Sequence, residues 1–576
     1  MTLMANTTTA GGLLLALAVL VPFTGVLLAL VAGGRNAQRI ALVTLVANAA
    51  LAARIAWMFV DAGAPLVYVL GGYAPPLGVA LRADAMAVAM LAAVAVVVLG
   101  IATYASADFR VPDDAAKARA PLTYWLLALA VTGSLNLVFV SGDLFTLYVA
   151  LELLTFAGVP LVCLDGRGET LRAALRYLLF ALAGSLLYLL GAVLLYGAYG
   201  TLDIPSLAAA LRFDPATVAA AALMTTGLLA KTALFPLHLW LPPAHAGAPA
   251  AASAILSALV IKGSWFLVLR LWFDVFPALV TPAAAQLVAG LGATVIVVAS
   301  VVALRQERLK LLVAYSTLAQ IGYLFLLFPL AFEGGALVHG PVLAGGVLQA
   351  IAHATAKAAM FMAAGLVYAA LGHDRIRDLA GVGRALPLTV LAFVVAGLAL
   401  MGVLPSGAYL AKKLLLASAD ASGQWWWTAV LTCGAAFTAG YVALFLFNAL
   451  RRGAPVVLAA PVALRSQLAA LALAVGSFLL AFAAQGPLPD GLVSSPLKAS
   501  ELGNTLAVCA AGVLLALAAA RDPRAASNAA VRAVRRVGVP AGNALARLDF
   551  TLRRWPVATL AMLALAAGFA GALTAR

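Results

Sequence analysis

Between short clusters of charged residues the chain is built from apolar runs of about twenty residues, one after another along its whole length. A run of that length is what a helix needs to cross a hydrocarbon layer of about 30 Å. In lipid each backbone N–H and C=O must be bonded within its own segment or a closed barrel. Repeated this often, the runs leave one fold class: an all-α polytopic transmembrane bundle. Composition agrees, since only 10% of the 576 residues are charged, against about 25% in a soluble domain.

The runs predict about 16 helices, over 11–32, 39–60, 84–107, 120–140, 143–164, 173–199, 216–239, 249–275, 284–304, 309–331, 340–371, 386–415, 428–450, 464–484, 501–520 and 555–574. Met1 to Ala10 lacks the basic start of a cleavable signal, so the first run is expected to stay as a helix. With the N-terminus outside, the odd-numbered gaps are cytoplasmic. They then hold 24 arginines and lysines, against four in the outer segments. That bias is how orientation is written in a membrane protein, and it predicts both termini outside a bacterial inner membrane.

The net charge of +15 therefore reads as topology; no nucleic-acid motif interrupts the runs. Cys163, Cys433 and Cys509 are far apart in apolar segments, which fits small core residues and neither a disulfide framework nor a metal site. The segment 521–554 differs from the other gaps. Arginines alternate there with Val531, Val534, Val537 and Val539, a pattern that fits a basic amphipathic helix on the cytoplasmic membrane surface. Pro523, Gly538, Pro540 and Gly542 also fit a basic linker.

Ionisable groups inside a membrane are expensive, so each is a candidate functional residue. Here they are Glu152, Lys231, Lys262, the stripe Gln349/His353/Lys357, and the neighbours Lys412 and Lys413. Two of the helices also carry a mid-depth proline beside a lysine, Lys231 before Pro236 and Lys412 after Pro405. A helix broken there frees carbonyls that only protein or water can satisfy, as in the ion sites of transporters. Arg54, Arg176 and Arg270 lie near helix ends and are expected to snorkel.

Burial disfavours the charged form of a lysine and a nearby carboxylate restores it. Glu152 with Lys231 would then be a switch worth about 4 kcal/mol at 4 Å for an effective dielectric near 20; a purely structural salt bridge is the rival reading. Gln349, His353 and Lys357 recur every four residues on one helix face, which suits a proton relay or, alternatively, an interhelical hydrogen-bond seam. Ser316, Thr317 and Gln320 could host water beside it. His238 and His245 flank the break after the seventh helix, where they could relay protons or merely cap the loop.

At these residues the sequence resembles the antiporter-like subunits of respiratory complex I, membrane-bound hydrogenases, formate hydrogenlyase and Mrp-type Na+/H+ antiporters. The likeness covers roughly residues 80 to 450 and is carried above all by KTALFPLHLWLPPAHAGAPAAASAILSALVIK, from Lys231 to Lys262. The family carries a glutamate in helix 5, a lysine in a broken helix 7, a lysine in helix 8, a His/Lys pair in helix 11 and a Lys or Glu in a broken helix 12. Matching positions here are Glu152, Lys231, Lys262, His353 with Lys357, and Lys412 in PSGAYLAKK. Lys413 departs from the usual bulky residue at its place, so either lysine could face the channel.

The resemblance implies two inverted five-helix repeats, 120–275 (helices 4–8) and 284–450 (helices 9–13). N-terminal helices over 1–107 precede them, and 464–576 with the basic segment 521–554 follows. Each repeat would form a half-channel, the two joined by Lys262, His353 and Lys357, with His238, His245, Gln320, Gln349 and Lys413 as further relay candidates. The implied function is proton translocation within a multi-subunit membrane complex, its partners being other membrane subunits, the lipid bilayer and protons, with Na+ as the alternative ion. The core strings look closest to the D-type channel proteins of Mrp antiporters and to hydrogenase-type subunits; a bicarbonate-uptake channel subunit is a further alternative. No redox motif, nucleotide loop or cofactor ligand is found, so no cofactor and no active site of its own are expected. A quinone-site subunit and a structural anchor are the competing classes.

Overall fold

The computed structural model of the protein describes residues 7–110, 119–453, 456–483, 499–520 and 528–575. In chain order its principal helices are α1 (Leu13–Ala32), α2 (Gly34–Ala62), α3 (Ala85–Asp108), α4 (Arg119–Val140), α5 (Leu144–Val162), α6 (Gly168–Tyr199) and α7 (Pro215–Thr232). There follow α8 (Ala250–Val275), α9 (Pro282–Leu304), α10 (Leu309–Leu330) and α11 (Pro341–Leu371). Then come α12 (Pro387–Met401), α13 (Gly407–Ala421), α14 (Trp425–Leu450), α15 (Leu464–Ala483), α16 (Ala499–Ala519), α17 (Ala529–Leu552) and α18 (Trp555–Thr574). Among the described residues fourteen of these are long and apolar enough to cross a membrane. The other four are the pieces of the two broken helices, α7, α12 and α13, together with α17.

Burial sorts the bundle into a centre and a rim. The apolar windows of α8, α10 and α11 are 100%, 94% and 83% buried, whereas those of α16 and α18 are 11% and 22% buried. A helix wrapped by protein can carry polar groups that lipid would reject. The centre is therefore where a polar line can be built.

Both breaks fall next to the lysines, at bounds that differ from the expected ones. The seventh helix stops at Thr232, short of 239, because Ala233 turns to φ +61° and Pro236 has no N–H to continue the ladder. The chain then runs through a turn into a short helix, Leu241–Gly247. The twelfth divides at Gly402, with φ +87°, and resumes at Gly407 as α13. α8 is wound wider than an α-helix over Leu256–Val260, a π-turn of the kind found at functional sites.

Close backbone approach sets the packing around the first break. A Cβ on Gly227 of α7 would lie 2.2 Å from the carbonyl oxygen of Gly184 on α6. Only glycine lets these helices meet so closely.

The loops gather on two faces. On the arginine-rich face, Arg308 Nε bonds Asp374 Oδ1 at 2.9 Å, Arg308 and Arg375 form an antiparallel bridge, and Arg465 reaches the Ser106 carbonyl at 2.9 Å. On the opposite face, Thr9 pairs with Val67 at 2.9 Å, Gln286 bonds Gln424 at 2.6 Å and Thr281 bonds the Ala572 carbonyl at 2.7 Å. The described ends of the chain thus lie on one face.

One open alternative is resolved and two expectations change. Residues 529–552 form one helix, α17, that runs through Pro540, so the amphipathic helix replaces the linker there; 521–527 lie outside the described residues. Arg270 does not snorkel: it is paired with Asp84 at 2.5 Å and Asp274 at 2.8 Å. The cysteines are not core residues, for Cys433 is exposed and Cys163 and Cys509 are half-buried.

Candidate functional site

Lys231 ends α7 with its ammonium turned toward α5 and α6. Nζ donates to Glu152 Oε1 at 3.3 Å, Thr155 Oγ1 at 2.9 Å and Ser185 Oγ at 2.5 Å, with the Leu151 carbonyl a further acceptor in reach at 3.5 Å. Glu152, Thr155 and Leu151 share one side of α5 through helical spacing, and the Gly184–Gly227 contact brings Ser185 into reach. The side chains of Lys231 and Glu152 are 6% and 13% exposed. At that depth the charge of one partner sustains that of the other.

Lys262 lies in the wrapped centre with 0% exposure. Its Nζ bonds the carbonyl of Ser257, five residues earlier, at 2.7 Å. The π-turn explains why: widening the helix frees an acceptor that a regular turn would have used. Lys357 on α11, likewise 0% exposed, donates to Ser316 Oγ of α10 at 2.5 Å. It stands 5.8 Å from the centre of the Tyr441 ring.

His353, one turn from Lys357, is buried with neither ring nitrogen bonded to a described protein atom. Lys262, His353 and Lys357 are near enough for their charges to act on one another. Buried polar groups seldom stay without a partner, and a polar pocket is where ordered water supplies one. Gln349 bonds Gln320 at 3.3 Å, Gln320 bonds Thr438 at 3.2 Å and Ser257 bonds Thr317 at 2.9 Å. The stripe thus continues across α8, α10, α11 and α14.

Lys412 folds back over the second break. Its Nζ donates to the carbonyls of Leu400 at 3.1 Å and Met401 at 2.9 Å, the groups that the break leaves without helical partners. It also stands 4.9 Å over the Tyr323 ring. Lys412 is buried, while Lys413 is half-buried and faces the Tyr409 ring at 5.7 Å. Among the described residues no carboxylate pairs with Lys412. Beside it is a cavity of about 630 Å³ lined by Lys412, Lys413, Tyr409, Asn504 and Thr505.

The two loop histidines part company. His238 bonds Asp549 of α17 at 2.9 Å. His245 is fully buried against Phe361, with both ring nitrogens lacking a partner among the described residues, and the charges of Lys310, Lys357 and Lys262 reach it. By its sequence position Lys310 belongs to a surface loop. It is instead 7% exposed, with its Nζ donating to the Ala248 carbonyl. It lines a cavity of about 440 Å³ on the arginine-rich face together with Asp108, Asp165, Glu169 and Arg308. Lys310 lies at the start of a helix, where a basic residue resembles a loop charge. No local signal marks it: Arg308, two residues earlier, takes Asp374 only once the fold brings the two loops together, and Lys310 turns inward.

The arrangement can hold protons at separated, buried sites of opposite and like charge. It offers no cluster of metal ligands among the described residues.

Comparison with known proteins gives a consistent result. Residues 141–438 match the family described as NADH:quinone oxidoreductase/Mrp antiporter, TM. NADH-quinone oxidoreductase subunit N of Desulforudis audaxviator is 34% identical over 402 residues, which cover 68% of this chain and 77% of that protein. An Na(+)/H(+) antiporter subunit of Bacillus subtilis is 27% identical over 361 residues, covering 62% of this chain and 70% of that one. In the solved structure of the Mrp complex from a Dietzia species, one chain superposes with a TM-score of 0.72 at 23% identity, over 92% of this chain and 100% of that one. The match region contains Glu152, Lys231, Lys262, His353, Lys357 and Lys412, the residues on which the resemblance rested. The chain is a multi-pass membrane protein that belongs to the NADH:quinone oxidoreductase/Mrp antiporter transmembrane family.

Proposed function

We propose that the chain moves protons across the membrane as one subunit of a larger membrane complex. The route is Glu152 and Lys231, then Lys262, His353 and Lys357, then Lys412. The observation that carries this reading is the series of deeply buried lysines along it, of which only Lys231 has a carboxylate partner among the described residues. Uncompensated buried ammonium groups are costly, and a purely structural bundle has no reason to keep them. Lysine can release its proton when desolvated; arginine cannot.

In this reading the cavity beside Lys310 takes up protons on the arginine-rich face, and His245 and His353 serve as titratable steps between lysines. His238, Gln320, Gln349 and Lys413 border the route. The cavity beside Lys412 is the second opening, with Lys412 rather than Lys413 as the channel residue. The two Lys-plus-Pro breaks are mates within inverted repeats over 120–275 and 284–450. The arginine-rich face is the cytoplasmic side of a bacterial inner membrane, so both termini face outside. Redox chemistry or cation exchange is handled by partner subunits, as the names of the relatives suggest. Relatives named for Na+/H+ antiport keep Na+ as the second coupling ion.

The test is proton movement in vesicles carrying the assembled complex, with Lys231→Ala compared with the unaltered protein at matched expression. Proton transport should be lost. Normal transport by the variant would overturn the assignment.

A further inference from the structure

The arginine-rich helix α17 carries a single carboxylate, Asp549, in its last turn. It points into the protein and is 3% exposed. Oδ1 accepts from Nε2 of His238 at 2.9 Å. Oδ2 accepts from the Tyr315 hydroxyl at 2.9 Å and from Nη2 of Arg553 at 3.0 Å. Burial alone would raise the carboxyl of Asp549; the hydrogen bond and charge of His238, the charge of Arg553 and the Tyr315 hydroxyl outweigh it and hold the group below the usual range. With the Arg553 guanidinium and the Tyr315 hydroxyl both donating to Oδ2, the geometry suits the anion independently of His238.

An ionised carboxylate only accepts hydrogen bonds, so His238 must present Nε2–H to it. That leaves Nδ1 as the nitrogen where a proton can arrive and leave. Nδ1 is buried and has no partner among the described residues, and the Phe235 ring, stacked at 5.3 Å, fixes the imidazole plane. The site lies in the break that follows Lys231. α17 is also held by Arg305 to Asn543 at 2.5 Å, and Trp555, at the start of α18, lies edge-on to Phe180 of α6 at 6.2 Å.

We infer that Asp549 is a positioning residue for His238: by fixing its tautomer and balancing its charge, the amphipathic helix decides whether His238 can pass protons at the first break. A proton arriving at Nδ1 makes an imidazolium paired with Asp549; its departure restores the neutral ring with Nε2–H. The inference rests on the proton-transport reading above.

The experiment uses the full chain with 15N-labelled histidine, its His238 signal identified by loss in His238→Gln. The unaltered protein should show neutral His238 as the Nε2–H tautomer alone. Asp549→Asn should give mixed tautomers and slow proton transport about 10- to 100-fold, the range for losing a partner that orients a working histidine. Asp549→Glu, which keeps the charge, should restore most of both. Asn543→Ala, which loosens α17 elsewhere, should leave the His238 spectrum and the rate unchanged. The inference is overturned if Asp549→Asn leaves the tautomer unchanged, or if Asn543→Ala slows transport as much as Asp549→Asn, since Asp549 would then be only an anchor. The spectrum needs no transport. If Lys231→Ala transports normally while the tautomer responds to Asp549, the transport reading fails and the positioning of His238 stands.

Discussion

Lys231 and Lys412 sit beside similar breaks yet meet opposite electrostatic conditions. Lys231 has Glu152 at 3.3 Å; Lys412 has carbonyls and an aromatic ring. The first should hold its proton until Glu152 is drawn off, so Glu152→Gln and Lys231→Ala are each expected to cut proton transport about 10²-fold or more, measured in vesicles. Lys231→Arg should also impair it, because the guanidinium keeps its proton. In the centre, Lys357→Met keeps length and removes charge, so transport should stop while the melting temperature holds. His353→Ala should slow transport without large loss of stability. A silent Lys357→Met with a destabilised His353→Ala would identify a packing seam instead. At this scale the sequence is most informative where charge stands alone in apolar surroundings: Glu152, Lys231, Lys262 and Lys357 need nothing else. Lys310 and Asp549 escape a reading of the sequence because each lies among arginines, where a charge looks like a surface charge until the fold turns it inward. Nothing local in the sequence encodes that turn.

The broken helices are legible as elements because proline beside an intramembrane lysine is costly without a purpose, although their ends are not. Ala233 adopts a left-handed conformation that alanine disfavours, and no sequence rule places a helix end at such a residue. The π-turn over Leu256–Val260 is equally invisible: its residues are ordinary helix formers, and tertiary packing selects the wider winding. Small-residue contacts between elements lead to a stability prediction. Gly227→Ala puts a methyl 2.2 Å from the Gly184 carbonyl oxygen, and such overpacking costs about 1–3 kcal/mol. The melting temperature of the purified protein should fall, and transport with it, because the same contact brings Ser185 to Lys231. Gly290→Ala on α9, with nothing within 4 Å of the added methyl, should melt like the unaltered protein. Equal melting of the two variants would mean that the α6–α7 approach is not tight.

At the scale of the molecule, orientation follows from where the arginines gather. A cytoplasm-active reporter fused after Arg452 should be active and one fused after Arg576 silent; the reverse pattern would invert the bundle. The loop contacts carry a mechanical consequence. Each face is stitched across the bundle, by Arg308 to Asp374 and Arg465 to Ser106 on one side and by Thr281 to Ala572 and Gln286 to Gln424 on the other. Helices tied to their neighbours at both ends are expected to keep their places while a proton passes. Proton movement is then expected to run through side chains and water exchanging partners, on the picosecond-to-nanosecond scale of rotamer motion rather than that of domain swings. In the double variant Arg308→Cys/Arg375→Cys, a bridged pair with Cα atoms about 4.5–5.5 Å apart and with the three native cysteines replaced by serine, closing the disulfide should therefore leave the rate of proton movement as it is in the reduced form; arrest on oxidation would show that the frame has to open.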